Sequence, residues 1–538
     1  MTQVSEEIVV KETKLYSEAV KLTGYGKYNL FILLATGGCL MCVIIESMSM
    51  SFIIPAAHCD LGLNITEKGV LVSINFLGII LTSHFWGTMA DVRGRKNILV
   101  LCLIVGSIIS LAASLAPWTW LFILLRLLNG MFIGAASSII YAFAGEFHDD
   151  RYRPMVISWI SSFVAAGQSY IPGLAWAILP YDWHYNLEAL GIEFRPWRLL
   201  LIVYALPSLI VAALLSFLPE SPKFLLAQGK HDHTLKILRQ MFVINTGKKS
   251  HEFPVSTVIL DEVIIERSVN EEKPGMLKSL WTQTVFLFNK EFAVKTVLCS
   301  YLQFGVFLST SALSLWFPQI LNALNKYAQE VTNSGVTLCG AMEAEQTVTN
   351  QMQKTIFIDT QFLWKEDSDN STIIQEVICD DSVDTGVYLV VLVVACAIGI
   401  AYLIIGALIS RVGKKTLLIS ASTFTAACGL GAQYCSGLEI ILILCGIYLL
   451  IASMVGVVNA LVVDLYPTHI RAMALAVSLM FGRVGAMVGS NLMGVLFYSY
   501  CDYVFIFVAC NHLLLVVAAI LLPTTSIKKP VEAQETIK

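Results

Sequence analysis

Two ionised side chains stand inside stretches that otherwise suit a membrane interior. Glu46 lies in Cys42-Val43-Ile44-Ile45-Glu46-Ser47-Met48, and Arg483 lies in Met480-Phe481-Gly482-Arg483-Val484-Gly485. A charge at the centre of a bilayer-spanning helix costs about 2.5–3.5 kcal/mol, so each needs a reason to be there. A guanidinium keeps its charge at any cellular pH and presents planar paired donors, which suits the carboxylate, sulfate or phosphate of an anionic solute. A carboxyl whose surroundings alternate between dry and wet can take up and release a proton, the role read for Glu46. The structural alternative is a permanent Glu46–Arg483 ion pair. A third charge, Arg126, shares a helical stripe with Gly130 and Gly134, which fits close helix packing and a structural or gating role better than solute contact.

Uncharged polar groups could line the same path. Gln168 and Tyr170 stand beside Pro172, and Trp316 and Gln319 flank Pro318, so each pair joins polar and aromatic chemistry to a point where a helix loosens. Asn459 is a further candidate, and Asn75, Ser169, Gln303 and Asn491 carry the same chemistry with less context. Any of these can equally satisfy a neighbouring helix, in a contact worth about 0.6–2 kcal/mol.

The elements that must hold these residues are membrane helices. Of the 538 residues 56% are hydrophobic and 14% charged, against about 25% charge in a soluble domain. A formal net charge of -4 offers no polycationic face for nucleic acid. A span needs roughly 20 apolar residues, because the hydrocarbon is about 30 Å thick and a helix rises about 1.5 Å per residue. That ruler predicts twelve spans, at 29–55, 69–90, 97–117, 118–144, 155–179, 197–218, 292–318, 387–410, 417–435, 438–464, 473–498 and 503–523. The expected fold class is therefore an all-α membrane protein.

Basic residues orient it. With the N-terminus inside, inner segments and span ends hold 27 of the 35 Lys and Arg and outer ones hold 6. Basic loops stay in the cytoplasm, so both termini are expected there, in a vesicle or the plasma membrane. The predicted order is a cytosolic segment 1–28, a six-helix half 29–219, a cytosolic loop 220–291, a second half 292–523 and a cytosolic tail 524–538. Amphipathic spacing around Leu235 to Phe242 predicts short cytosolic helices. The outer loop 321–385 carries the glycosylation triplet at Asn370 and two cysteines, Cys339 and Cys379, which are expected to pair in an oxidising compartment. His231 and His233 lack partners at metal-site spacing, and no cofactor, hydrolase, kinase or P-loop signature appears. The chain reads as no enzyme, and any uphill work must draw on a gradient.

The halves repeat. Gly87-Thr88-Met89-Ala90-Asp91-Val92-Arg93-Gly94-Arg95-Lys96 follows span 2, and Gly406 to Lys415, with Arg411 and Gly413, follows span 8 at the same spacing. Glu146 precedes Arg153 by seven positions, as Asp464 precedes Arg471. Such glycine and charge clusters at the inner rim are expected to latch one conformation across the half-domain interface and release in the other.

With these residues the sequence resembles the major facilitator superfamily, and within it the synaptic vesicle glycoprotein 2 group and related organic ion transporters. Further marks are Arg126-Leu127-Leu128-Asn129-Gly130, Pro219-Glu220-Ser221-Pro222-Lys223, Trp316-Phe317-Pro318 and Asp464-Leu465-Tyr466-Pro467-Thr468. The resemblance implies two six-helix halves that rock about a central site, with spans 1 and 11 lining it, so that Glu46 and Arg483 face one water-filled space. The chain departs from that group in a shorter outer loop, in Val43 at one of two acidic positions of span 1, and in Val455 and Asn459 in span 10. The expectation is a secondary transporter of a small organic anion, with Arg483 as counter-charge and Glu46 as coupling acid for a proton or ion. The rival expectations are a transporter-like protein that works by binding protein partners, and a carrier of organic cations or sugars with Glu46 on the ligand.

Overall fold

In the computed structural model, residues 12–181, 183–188, 191–260, 285, 287–331, 335–347, 384–466 and 468–523 are described. Twelve long helical stretches run through them. Span 1 is Lys27–Met48 continued by Met50–Leu61, and spans 2 to 6 are Ile65–Arg93, Arg95–Ser114, Thr119–Gly145, Arg153–Ile178 and Pro196–Ser216. Spans 7 to 9 are Ala293–Glu330, Thr385–Val412 and Lys414–Tyr434. Span 10 is Leu438–Leu449, running through a tight turn at Leu450–Ser453 into Met454–Leu465, and spans 11 and 12 are Thr468–Ser499 and Val504–Leu521.

Among the described residues nine helices are long and apolar enough to cross a membrane by themselves, and span 2 makes a tenth from two pieces, Thr66–Ser83 and Phe85–Arg93, that meet at 49°. Spans 5 and 9 fall short of that measure because serines, threonines and glutamines dilute them. They are held instead by neighbours, span 5 against spans 1 and 8 and span 9 against spans 10 and 12. Span 7 runs twelve residues past the predicted end at Pro318, since a proline inside a long helix is tolerated where packing re-satisfies the freed backbone.

Local chemistry sets the ends. Span 1 stops at Gly62, whose φ of 60° is left-handed, and span 2 starts on a reciprocal cap in which Asn64 accepts from the Glu67 amide at 2.8 Å and Glu67 accepts from that of Asn64 at 3.0 Å. The internal repeat is written into the backbone itself: Gly94 and Gly413 adopt φ 98°, ψ 144° and φ 90°, ψ 143° between equivalent helices, a conformation that a Cβ would strain.

The face that carries the N-terminal segment and the 220–260 region is called inner here. On it the strand Glu12–Leu15 pairs in parallel with Val255–Ile259, a strand pairing the apolar pattern did not predict. The predicted cytosolic helix appears as His231–Thr246, and Asn245 ties it to the start of span 1 by accepting from the Tyr28 amide at 3.0 Å and donating to Asn29 at 2.7 Å. Buried apolar residues there, including Tyr16, Val20, Leu238 and Phe242, join the inner core of the first half.

The apolar core is divided unequally across the membrane. Toward the outer face one cluster unites the halves, packing Phe52, Ala57 and Trp197 of the first with Leu313, Trp316, Tyr388 and Tyr498 of the second. Toward the inner face each half keeps a core of its own. The halves are thus closed together on the outer side.

Candidate substrate and coupling sites

Arg483 sits midway along span 11, and glycines aim it. A Cβ added at Gly485 would come within 2.2 Å of the Phe304 carbonyl oxygen, and one at Gly489 within 2.4 Å of that of Leu308. Spans 7 and 11 therefore touch backbone to backbone, which turns Arg483 away from span 7 and toward the first half. Its Nη1 donates to Ser83 Oγ and its Nη2 to Ser137 Oγ, each at 2.5 Å, linking span 11 to spans 2 and 4. Ser83 stands at the bend of span 2, where its hydroxyl also donates back to the Ile79 carbonyl, an arrangement that bends helices.

No carboxylate among the described residues lies within 4.0 Å of Arg483, and its side chain is only half-buried. Tyr141 also lies within electrostatic range of the Arg483 guanidinium.

Glu46 is elsewhere. Its carboxylate accepts from Arg126 Nη1 at 3.0 Å and from Ser110 Oγ at 3.2 Å, with both ionised side chains at most 1% exposed. Arg126 Nη2 reaches the Glu46 carbonyl and donates to Ser49 Oγ at 3.2 Å, while Asn75 Nδ2 donates to the same carbonyl at 2.8 Å. The expected common chamber for Glu46 and Arg483, and the ion pair between them, are both corrected: the acid is locked inside the first half by Arg126. The stripe of Arg126, Gly130 and Gly134 makes this possible. A Cβ at Gly130 would fall 2.3 Å from the Asn75 carbonyl oxygen, so spans 2 and 4 cross closely enough to bring Arg126 to span 1. Taking two charges out of water is compensated here by the ion pair and by hydrogen bonds to the Arg126 Nη1 and Nη2 donors, although Arg126 Nε is buried without a partner. Glu46 Oε1 stays buried without a hydrogen-bond partner.

Comparison with known proteins accounts for this layout. Residues 37–343 and 380–537 match the Major Facilitator Superfamily. The chain belongs to that superfamily. It is 30% identical over 325 residues to synaptic vesicle glycoprotein 2C of Rattus norvegicus, covering 57% of this chain and 45% of that protein. Over 322 residues it is 30% identical to synaptic vesicle glycoprotein 2B of Homo sapiens, covering 57% and 47%. The chain thus spans under half the length of these relatives. A structure of the xylose transporter XylE from E. coli in a partially occluded inward open conformation superposes with a TM-score of 0.63 at 14% identity, covering 93% of this chain and 98% of that one. That likeness shows the fold.

In this superfamily member the rim clusters pair within each half, the arrangement that the expected latch takes when it is released. Arg95 pairs with Asp91 at 3.2 Å and with Glu146, and Glu146 also binds Ser221. Glu220 accepts from the Arg95 and Lys96 amides at 3.0 Å each, beside the turn at Gly94, while Lys96 Nζ donates to the Leu218 carbonyl at 2.8 Å. Arg153 meets Asp150 at 2.6 Å and the Gly145 carbonyl at 3.0 Å, not Glu146. In the second half Asp464 pairs with Lys414, Arg411 is exposed, and the Arg471 side chain lies outside the described residues. Gly87 has open space around it. Among the described residues the apolar clusters of the two halves stay separate on the inner side, which fits this pattern.

The remaining candidates separate by burial. Trp316 is 2% exposed and its indole donates to the Ser490 carbonyl at 2.7 Å, which places it in the seam between spans 7 and 11. Gln319 donates to Tyr498 at 2.6 Å and Glu345 at 2.8 Å, near the outer face. Tyr170 donates weakly to the Val203 carbonyl at 3.4 Å, Gln168 reaches only Met48 Sδ at 4.0 Å, and Asn459 accepts from Gln303 at 3.3 Å. None of these contacts Arg483. Ser83, Ser137 and Tyr141 were missed because single hydroxyls in apolar helices carry no spacing signal. Cys339 bonds Cys501 and not Cys379, which lies outside the described residues together with Asn370. The pairing joins positions 162 residues apart, a distance along the chain that no local pattern reveals.

Proposed function

We propose that this chain is a secondary active transporter of small organic anions, in a vesicle or plasma membrane with both termini cytoplasmic, and that it works by alternating access. The observation that carries the reading is Arg483, a half-buried cation held between the halves by two serine hydroxyls, with no carboxylate among the described residues within 4.0 Å of it. Hydroxyls are weak partners for a guanidinium, so an arriving carboxylate, sulfate or phosphate gains a charge-assisted, bidentate contact that they do not supply. Because the contact bridges spans 2, 4 and 11, a solute that replaces the serines changes what holds the halves together.

Coupling falls to the first half. Protonating Glu46 would cancel its charge and release Arg126, which spans 1, 3 and 4 share. The driving ion is therefore a proton, exchanged at a pair separate from the solute site. Small-molecule solute, proton and lipid are the partners this reading requires.

The test is uptake by purified protein in proteoliposomes, comparing radiolabelled organic anions with organic cations and sugars, with and without a pH gradient. Anion uptake lost in Arg483→Ala and uncoupled from the gradient in Glu46→Gln supports the reading. Uptake of cations or sugars that ignores Arg483→Ala would sink it, and a chain that moves no solute while its inner segments capture protein partners would favour the binding role.

A further inference from the structure

Four lysines from two distant stretches of the chain meet at the inner end of span 1. Lys21 lies in the last turn of the helix Tyr16–Leu22, Lys27 is the first residue of span 1, and Lys248 and Lys249 follow the helix His231–Thr246. Asn245 staples the two stretches together. Besides its contacts with Tyr28 and Asn29, its Nδ2 donates to the Gly24 carbonyl at 3.1 Å and to that of Thr23 at 3.3 Å. The backbones touch there, since a Cβ added at Gly26 would come within 2.9 Å of the Asn245 Cα. Gly247, left-handed at φ 72°, then turns Lys248 and Lys249 off the end of their helix, and the Lys248 amide donates back to Thr246 Oγ1 at 3.3 Å.

All four side chains are exposed. Among the described residues none of the four ammoniums lies within 4.0 Å of a carboxylate. The acids of the same stretches do not neutralise them: Glu18 is exposed, and Glu252 accepts from the Lys249 amide at 3.1 Å. The surface beside the lysines is apolar. Leu30, Phe31 and Leu34 follow Lys27 at three, four and seven positions, so one stripe of span 1 carries all four. The three apolar residues are 49%, 38% and 50% exposed, which is the face that span 1 turns to hydrocarbon. Cationic charge at the membrane edge, continued inward by an open apolar stripe, matches an amphiphile with an anionic head. A soluble anion would use the lysines and leave the stripe idle.

We propose that this patch is a binding site for an anionic phospholipid of the adjoining leaflet: the ammoniums of Lys21, Lys27, Lys248 and Lys249 surround its headgroup, and its acyl chains lie along Leu30, Phe31 and Leu34. Basic clusters of this size directly beyond a membrane helix attract anionic lipid, which is enriched in the cytoplasmic leaflet. The headgroup bridges the N-terminal segment and the 220–260 region, so the lipid also strengthens the staple that seats both on the first half. The site stands apart from Glu46 and Arg483. It rests on one part of the reading above, that this face is cytoplasmic.

The experiment measures the affinity of the purified full chain, in detergent micelles, for phosphatidylserine and phosphatidylcholine that carry the same fluorescent tail. Phosphatidylserine should bind at least about tenfold more tightly, and the combination of Lys21→Gln, Lys27→Gln, Lys248→Gln and Lys249→Gln should erase that preference. Arginine at the same four positions should keep it, which separates loss of charge from misfolding. Lys230→Gln with Lys236→Gln, exposed lysines at the other end of the helix His231–Thr246, should change it by less than about twofold. Equal affinity for the two lipids in the parent, or a glutamine variant that keeps the preference, overturns the site. An equal loss in the Lys230 and Lys236 control overturns its place at the staple. Displacement of phosphatidylserine by inorganic phosphate overturns the lipid assignment, because the apolar stripe would then contribute nothing. Antibody access to the N-terminus from outside intact cells overturns the cytoplasmic reading alone, since micelles have no sides.

Discussion

The two halves share a backbone plan but divide the charged chemistry between them. Arg126 stands twenty positions before Glu146, and twenty positions before the matching Asp464 stands Leu444. Arg483 stands twelve positions after Arg471, and twelve after the matching Arg153 stands Ala165. The first half therefore holds a neutralised, dry Glu46–Arg126 pair inside its own helices, and the second holds a lone cation that points out of its helices into the other half. A paired charge can titrate without disturbing the interface, and an unpaired one at the interface can attract a solute. Duplication supplied one scaffold twice, and departure from the repeat at single positions supplied two jobs.

The sharpest way to break that contrast is to remove one member of the buried pair. Arg126→Ala should lower stability by about 3–5 kcal/mol, since it leaves Glu46 as an unmatched charge, read as a fall in the melting temperature of detergent-solubilised protein. Replacing both, Glu46→Leu with Arg126→Leu, should recover most of that loss while leaving uptake indifferent to pH. Arg483→Ala should behave oppositely, with a melting temperature within a few degrees of the parent and anion uptake down by about 100-fold, the loss expected when a charged, desolvated contact of about 2–3 kcal/mol goes. Arg483→Lys should fall between, because an ammonium keeps the charge and loses the paired geometry.

Smaller effects sharpen the comparison at the two faces. Burial raises the Glu345 carboxyl above the usual carboxylate range, and Gln319, Lys68 and Lys326 pull it back. At the inner rim the partly exposed Lys414–Asp464 pair is weaker still, and Lys414→Ala should change stability by no more than about 1 kcal/mol in a melting experiment.

Much of the fold was legible in the chain. Spans 1 to 12 appear near their predicted places because an apolar stretch of membrane length has one low-energy conformation in a bilayer, and the twin glycine motifs announced the duplication that Gly94 and Gly413 realise in matching φ and ψ. The site was legible in its ingredients only. Glu46, Arg126 and Arg483 stood out as the charges that do not belong in hydrocarbon, yet their partners were misassigned, since Glu46 could face either arginine along the sequence.

What the amino-acid order determined by itself is therefore local: which segments are helical, where glycine lets a turn form, and which charges require company. What tertiary structure alone decided is the company. Glycine contacts at Gly130 and Gly485 set which helices touch and which way Arg126 and Arg483 point, while the chain's return path brought Cys501 to Cys339. Such pairings depend on distances through space between residues far apart in sequence, and a periodicity of 3.6 residues carries no information about them.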